Sequence, residues 1–283
     1  FGLNFVKDHY TRCTAGDWKE NKLEQKMMVI NCCALKPIVT WHSERVATIC
    51  RERCGGQGFL SANRFGEAII GAHAGMTAEG DNAVLMQKVA KELLGLLQSG
   101  DITLYQADSY TGSQEISLEF IMHLLSVKET ILMTNLATHV QMGLANGKDM
   151  FTIWMYEQSD LIQDAARAYG EKLILQKCLD VLQSCDSSLK SVLELVFMVY
   201  TTSLLERDLG WYLMENILTT EQGQQINNIS KTSCSSLSSI AVSLVESFNV
   251  PMHIFQAPIA ADWVKYNDYD NKGEVKSFRN QFQ

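Results

Sequence analysis

The sequence predicts an all-α chain arranged as two packed helical bundles. Three observations carry that prediction. The prolines are Pro37, Pro251 and Pro258 alone, so no pyrrolidine ring interrupts a helix over the long stretch between the first two. Apolar residues return at three- and four-residue steps through most of the chain, the spacing of one helix face. No segment alternates apolar and polar residues as a half-buried strand would. Long helices joined by short loops bury their apolar stripes against one another, which is the logic of a bundle. The loop-like segment 101–112, with Tyr110-Thr111-Gly112 as turn material, is the best internal boundary. It divides the chain into a first bundle over 1–100 and a second over 101–283.

Residues 1–14 read as a helix stopped near Ala15-Gly16. Residues 21–53 carry Leu23, Met27, Ile30, Ala34, Ile38, Trp41, Val46 and Ile49 on one stripe, a long amphipathic helix with a kink expected at Pro37 and an end at Gly55-Gly56. Residues 60–78 are short and mixed in pattern. Val84, Leu85, Val89, Leu93, Leu96 and Leu97 mark the next helix, closed by Ser99-Gly100. Leu118 to Val140 form another stripe that stops at Asn146-Gly147. Asp149 opens a helix to about Ser184, and Asp186-Ser187 caps one over roughly 188–217. The Ser-rich run 233–239 loosens the pattern before a helix resumes through Phe248 and ends at Asn249-Val250-Pro251. A last candidate helix covers 255–266, with Trp263 and Tyr266 expected to anchor the tail.

Composition bounds the function. A net charge of −8 argues against a duplex nucleic-acid binder, which needs a basic face for phosphates. The eight cysteines form no CxxC pair, and a chain of 283 residues is too large to need disulfide staples, so they read as reduced, mostly buried thiols in a reducing compartment. No apolar run reaches the roughly 18 residues expected of a membrane span. The opening Phe1-Gly2-Leu3-Asn4-Phe5-Val6 reads as the middle of a helix and Arg279 to Gln283 as a cut, so the chain is expected to lie inside a longer protein.

Two short stretches carry chemistry. Thr77-Ala78-Glu79-Gly80-Asp81-Asn82 places a carboxylate at the head of the helix that follows. An ordinary Glu there serves the helix macrodipole. A functional one faces an apolar pocket, where burial raises its pKa toward that of a general base, and Gly80 lets substrate approach the backbone. Some twenty residues earlier, Cys54-Gly55-Gly56-Gln57-Gly58 is either a flexible helix end or a turn whose backbone N–H groups face a cofactor phosphate. It follows no strand and is not GxGxxG, so a Rossmann fingerprint is excluded. His73 could line a pocket near Glu79 but reads better as a surface or satisfied core residue, and His42 and His139 lack metal-ligand spacing.

Together these stretches resemble acyl-CoA oxidases. The runs Cys50 to Phe59 and Thr77 to Gln87 carry the resemblance, and it continues through Glu206-Arg207-Asp208-Leu209-Gly210-Trp211-Tyr212-Leu213, Phe248 to Pro251 and Ala257 to Asn267. Phe1 to Asp8 is similar to the first helix of that family's C-terminal half. The resemblance implies a peroxisomal FAD enzyme that desaturates fatty acyl-CoA to trans-2-enoyl-CoA. Glu79 would remove the α-proton, the β-hydrogen would leave as hydride to the flavin, and O2 would reoxidise the flavin to give hydrogen peroxide. Gly55 and Gly56 would approach the FAD of the partner subunit in a homodimer, helped by Gln57 and Arg53. Asp81 and Asn82 would flank the flavin side of the base, with Ala78 and Gly80 on the substrate side. The backbone N–H of Glu79 would donate to the thioester carbonyl. Arg207, Asp208 and Trp211 read as a packed ion pair and a core aromatic.

Two departures from the family matter. Many members carry a bulky residue before the base, whereas Ala78 stands here; it either widens the acyl pocket or marks a subfamily. The N-terminal helical domain and the β-domain that hold most of the flavin and CoA lie outside this chain, so the chain alone is expected to be inactive. Two rivals stay open: an acyl-CoA dehydrogenase that reduces a carrier protein, and a non-catalytic helical subunit that keeps the motif. The residues that follow Glu79 to the end of the chain favour the oxidase, because most dehydrogenases end shortly after the base.

Overall fold

The structure, a computed structural model, describes residues 2–15, 21–255, 257–266 and 268. Among the described residues it is helical with no strand, as the proline distribution and periodicity predict. The helices are α1 (Gly2–Ala15), α2 (Lys22–Arg53), α3 (Gly55–Phe59), α4 (Phe65–Thr77), α5 (Asn82–Ser99) and α6 (Leu118–Ala145), followed by α7 (Met150–Thr152), α8 (Ser159–Ser184), α9 (Ser187–Arg207), α10 (Leu209–Met214), α11 (Thr220–Ser238) and α12 (Ala241–Glu246). The chain divides into two compact units, one of residues 1–38 and 80–242, the other of residues 39–79 and 243–283. The division cuts α2 just after Pro37, yet the helix runs unbroken through that proline.

In the first unit α8 is the central helix, packed by α1, α5, α6 and α9, while α11 lies against α9. Branched and aromatic side chains fill its core: Ile121, Leu124 and Leu125 of α6 meet Leu175 and Cys178 of α8, Phe197 and Leu205 of α9, and Tyr212 of α10. Small residues allow the closest approaches. A Cβ on Gly170 of α8 would lie 2.5 Å from Ile38 Cδ1, and one on Gly143 of α6 would lie 2.6 Å from Ile153 Cδ1. Several buried polar groups inside this unit are paired, as burial favours, while the Tyr200 hydroxyl makes no hydrogen bond among the described residues. The Tyr169 hydroxyl donates to Asn31 Oδ1 at 2.6 Å. Arg207 holds Glu171 at 2.9 Å and Asp208 at 2.6 Å, Lys128 holds Asp208, and Lys172 holds Glu129. The expected ion pair at Arg207-Asp208 is thus part of a network, and Trp211 is half-buried against the core beside the fully buried Tyr212.

The second unit is thinner. Gly75 of α4 lies against Thr40 of α2, and Arg51 sits over the Phe59 ring at 5.7 Å. No residue of α4 is buried.

The structure departs from several expectations. Residues 60–78 are not a mixed stretch: a 3₁₀ turn at Ser61–Asn63 leads into the thirteen-residue α4. Gly66, Gly71 and Gly75 lower its intrinsic propensity, which hid it. The helix expected from Asp149 to Ser184 is capped by Asp149 as read, but widens into a π-helical turn at Ile153–Glu157 and restarts at Ser159. The helix expected over 188–217 ends at Arg207 and restarts at Leu209, around the ion-paired Asp208. The Ser-rich run does not loosen α11, which reaches Ser238 from a capping box at Thr219 and Gln222. Over 255–266 there is a 3₁₀ turn at Pro258–Ala260 and one helical turn from Trp263, with 256 and 267 outside the described residues. Trp263 and Tyr266 remain exposed and do not anchor the tail. The cysteines are all free, but only Cys13 and Cys178 are buried. Finally, α9 is long and apolar enough to cross a membrane by length and composition; here it packs on α8 and α11 with Phe197 and Leu205 in the core.

Candidate functional site

The turn between α4 and α5 is built by four consecutive local decisions. Ala78 ends α4 in an extended conformation while its N–H still donates to Ala74 O at 3.0 Å. Glu79 follows at φ +56°, a left-handed conformation that L-residues avoid and that costs about 1 kcal/mol or more. Gly80 sits at φ +107°, where a side chain would be strained and a Cβ would meet Leu85 at 3.0 Å. Asp81 then caps α5, its Oδ1 accepting from the Ala83 and Val84 N–H groups at 2.9 and 3.3 Å.

This corrects the placement of Glu79. It is not in the first turn of the helix; Asp81 takes the capping role, and Glu79 stands two residues before the cap. Its side chain is exposed in this chain, as is that of Ala78. Glu79 is thus an exposed carboxylate on a left-handed turn between two helices, a backbone conformation it shares with Arg64, Asn216 and Asn249.

A residue that sequence reasoning missed helps to hold this turn. Lys36, on α2, donates from Nζ to Gly80 O at 2.7 Å and to Asn82 Oδ1 at 2.8 Å. Asn82 is 3% exposed, so its amide has no access to water as a substitute partner. A lone lysine in a long amphipathic helix carries no signal of such a role; only the fold brings it to a turn 44 residues later.

The second stretch forms α3. Arg53, the last residue of α2, is exposed, and Cys54 precedes α3 without a side-chain cap. Gly55 adopts φ +56°, and a Cβ added to Gly55 or Gly56 would meet nothing within 4 Å. Gly58 differs: a Cβ there would lie 2.1 Å from Arg51 O, so its hydrogen is what lets α3 close on α2. The first two glycines therefore leave open space beside bare backbone, while the third is spent on packing. The residues fit a bulky group that approaches the backbone at Gly55 and Gly56. Gln57 is half-buried and engaged by Asn63, whose Nδ2 donates to Gln57 O at 2.8 Å and to Gln57 Oε1 at 3.3 Å.

His73 is exposed, 4.0 Å from Glu44, in keeping with the surface reading. Among the described residues no group of His, Cys, Asp and Glu could hold a metal ion. A groove of about 910 Å³ opens along α5, lined by Val84, Lys88, Lys91, Phe151, Trp154 and Met155 among others; none of the predicted site residues borders it.

Known proteins share this architecture. The acyl-CoA oxidase family model matches residues 117–262, and that of the acyl-CoA oxidase C-alpha1 domain matches residues 3–94. The chain is 27% identical to acyl-coenzyme A oxidase 2, peroxisomal, of Arabidopsis thaliana over 83% of its own length and 37% of that protein's. It is 30% identical to acyl-coenzyme A oxidase 3, peroxisomal, of the same plant, again over 83% and 37%. The crystal structure of acyl-CoA oxidase 1 from Yarrowia lipolytica superposes with a TM-score of 0.79 at 19% identity, covering 92% of this chain and 42% of that one. Acyl-CoA oxidase-1 of Caenorhabditis elegans, solved with FAD and ATP, gives 0.79 at 16% identity over 90% and 41%. The chain thus spans about two fifths of the length of the relatives it matches. With both family segments matched and the helical architecture shared, the chain belongs to the acyl-CoA oxidase family and folds as its C-terminal helical region.

Proposed function

We propose that the complete protein is an FAD-dependent acyl-CoA oxidase in which Glu79 is the catalytic base. The observation that carries this reading is the turn itself: a left-handed Glu79, relieved of capping duty by Asp81 and followed by a Gly80 carbonyl clamped by Lys36. The α-proton of a thioester is weakly acidic, so its removal needs a carboxylate held in place and a polarised carbonyl. Glu79 takes that proton on a carboxylate oxygen. Its backbone N–H donates to the thioester carbonyl, and Ala78 and Gly80 leave room for the acyl chain beside it. Asp81 and Asn82 fix the flavin side of the turn, one through the helix cap and the other through Lys36. Gly55 and Gly56 would hold FAD by leaving their backbone open to it, with Gln57 and Arg53 beside them. The chemistry a bound FAD supplies is acceptance of the β-hydrogen and transfer of the electrons to O2, with release of hydrogen peroxide.

The second unit leaves Phe59, Ile70, Val245 and Phe248 exposed at 66–78%. These exposed side chains are available to the further parts of this reading: a homodimer in which the glycine turn meets the partner's flavin, and N-terminal and β-domains supplied by the rest of the protein. A peroxisomal location rests on the relatives' names alone.

The test uses the complete protein. Mixed anaerobically with a fatty acyl-CoA, the wild type reduces its flavin, and Glu79→Gln slows that reduction by about 10²–10⁴-fold while retaining the flavin. Reduction at the wild-type rate would remove Glu79 from the role. In air, one peroxide per enoyl product supports the oxidase; turnover that needs a carrier protein and yields no peroxide means a dehydrogenase.

A further inference from the structure

Every buried apolar residue among those described lies in the first unit. In the second unit the described buried residues are two, Gly58 and Asn63, and both serve the glycine turn. Gly58 has its packing reason in Arg51 O. Asn63 is a polar side chain, 5% exposed, at the end of the 3₁₀ turn Ser61–Asn63. Its amide is used at both ends. Nδ2 donates to the Gln57 backbone oxygen at 2.8 Å and to Gln57 Oε1 at 3.3 Å. Oδ1 accepts from the Ile259 N–H at 2.8 Å, across 196 positions of sequence. Ile259 is the middle residue of the 3₁₀ turn Pro258–Ala260, close to the end of the described chain.

We infer that Asn63 is a positioning residue that ties the C-terminal segment 257–260 to the glycine turn, so that this segment sets how tightly the turn holds flavin. The inference rests on the reading of Gly55 and Gly56 as a flavin contact. The physical case is directional. Gln57 O already accepts the Leu60 N–H at 3.3 Å, which closes α3. The Asn63 amide adds a second donor to the same carbonyl and one to the same side chain, which fixes both the end of the glycine helix and the direction of Gln57. The orientation of that amide is in turn fixed by Ile259, because only an oxygen can face the Ile259 N–H. A change in the tail therefore reaches Gln57 through one side chain. A buried amide with both ends satisfied has one low-energy orientation, so it transmits position rather than absorbing it.

The test is the dissociation constant of FAD from the complete apoprotein, read by flavin fluorescence, with circular dichroism as the control for fold. Asn63→Asp keeps the acceptor for Ile259 and removes the donor to Gln57. It is expected to weaken FAD binding about tenfold, the effect of one lost buried hydrogen bond. Ile259→Pro removes the tail N–H that orients the Asn63 amide and leaves the side chains of Asn63 and Gln57 themselves unaltered; it is expected to weaken binding several-fold, and it decides the question alone if Asn63→Asp fails to fold. Gly56→Val is the arm for the underlying reading and is expected to abolish binding. If Gly56→Val abolishes binding but Ile259→Pro leaves the constant unchanged, the tail coupling is wrong and the flavin reading stands. If Gly56→Val binds FAD like the wild type, the flavin reading itself fails.

Discussion

The two units of this chain hold themselves together by different means. The first is a packed bundle whose helices bury Ile121, Leu124, Phe197, Leu205 and Tyr212 almost completely. The second, which includes Glu79 and the glycine turn, buries none of its described apolar side chains and relies on hydrogen bonds, glycine contacts and a cation over an aromatic ring. Burial of a side chain such as Phe197 is worth about 1.5–3 kcal/mol, whereas one net hydrogen bond is worth about 1 kcal/mol. The proposed catalytic carboxylate is therefore carried by the part of the chain least able to hold its own geometry. The residues that follow it, Gly80 and Asn82, are held by Lys36 of α2.

The contrast is open to direct attack. The largest effect should come from the bundle: Phe197→Ala is expected to lower unfolding free energy by about 3–5 kcal/mol, read from the urea midpoint at constant slope. An effect near zero would mean that the first unit is not the stabilising body. Next is Lys36→Met, which removes the donor to Gly80 O and Asn82 Oδ1. In the complete protein it should lower the rate of flavin reduction by up to about 10²-fold, the scale of a small misplacement of a catalytic group, with a smaller change in KM. A wild-type rate would show that the turn holds itself.

The acid limb of stability bears on the same difference between units. Burial pushes the Asp208 carboxyl up, but the bonds from Arg207 and Lys128 outweigh it and hold the group below the usual carboxylate range. The folded pKa is therefore depressed. The stability it contributes is present above the unfolded pKa of about 3.9 and is lost as pH falls through the folded value. Glu171 acts in the opposite sense: burial raises its pKa, only partly offset by Arg207 and Lys128, so protonation on acidification relieves a cost. Asp208→Asn should flatten the fall in stability of the first unit below about pH 4. An unchanged acid limb would assign that fall to other carboxylates. The smallest effect belongs to the second unit: Ile70→Ala on α4, at 72% exposure, should stay within about 0.5 kcal/mol in this chain. A large loss would show that α4 is packed.

Legibility follows local strength. α1, α2, α5 and α6 are readable because a stripe, a cap or a stop glycine marks each. α4 is not, because three glycines weaken its pattern. The break between α9 and α10 falls at Asp208, whose partner Lys128 on α6 only the fold supplies, next to the Arg207 that also holds Glu171 of α8. The π turn at Ile153–Glu157 likewise begins at a residue packed against a distant one, Gly143. At the site, the types and order of Gly55, Gly56, Glu79, Gly80 and Asp81 are visible in the chain, but the assignment of roles among them is not.

The all-α class and the two short stretches are legible in residue type and near-neighbour spacing, and the family in the resemblance those stretches carry. It took the folded arrangement to show that Asp81 rather than Glu79 serves the helix start, that Lys36 clamps the turn, and that Asn63 joins the glycine helix to the tail. Apart from the cap and the local Asn63–Gln57 bonds, these depend on contacts between residues 44 to 196 positions apart. A polar side chain declares its chemistry in the sequence, but its partner is chosen by the fold, because burial leaves it one place to spend each donor and acceptor.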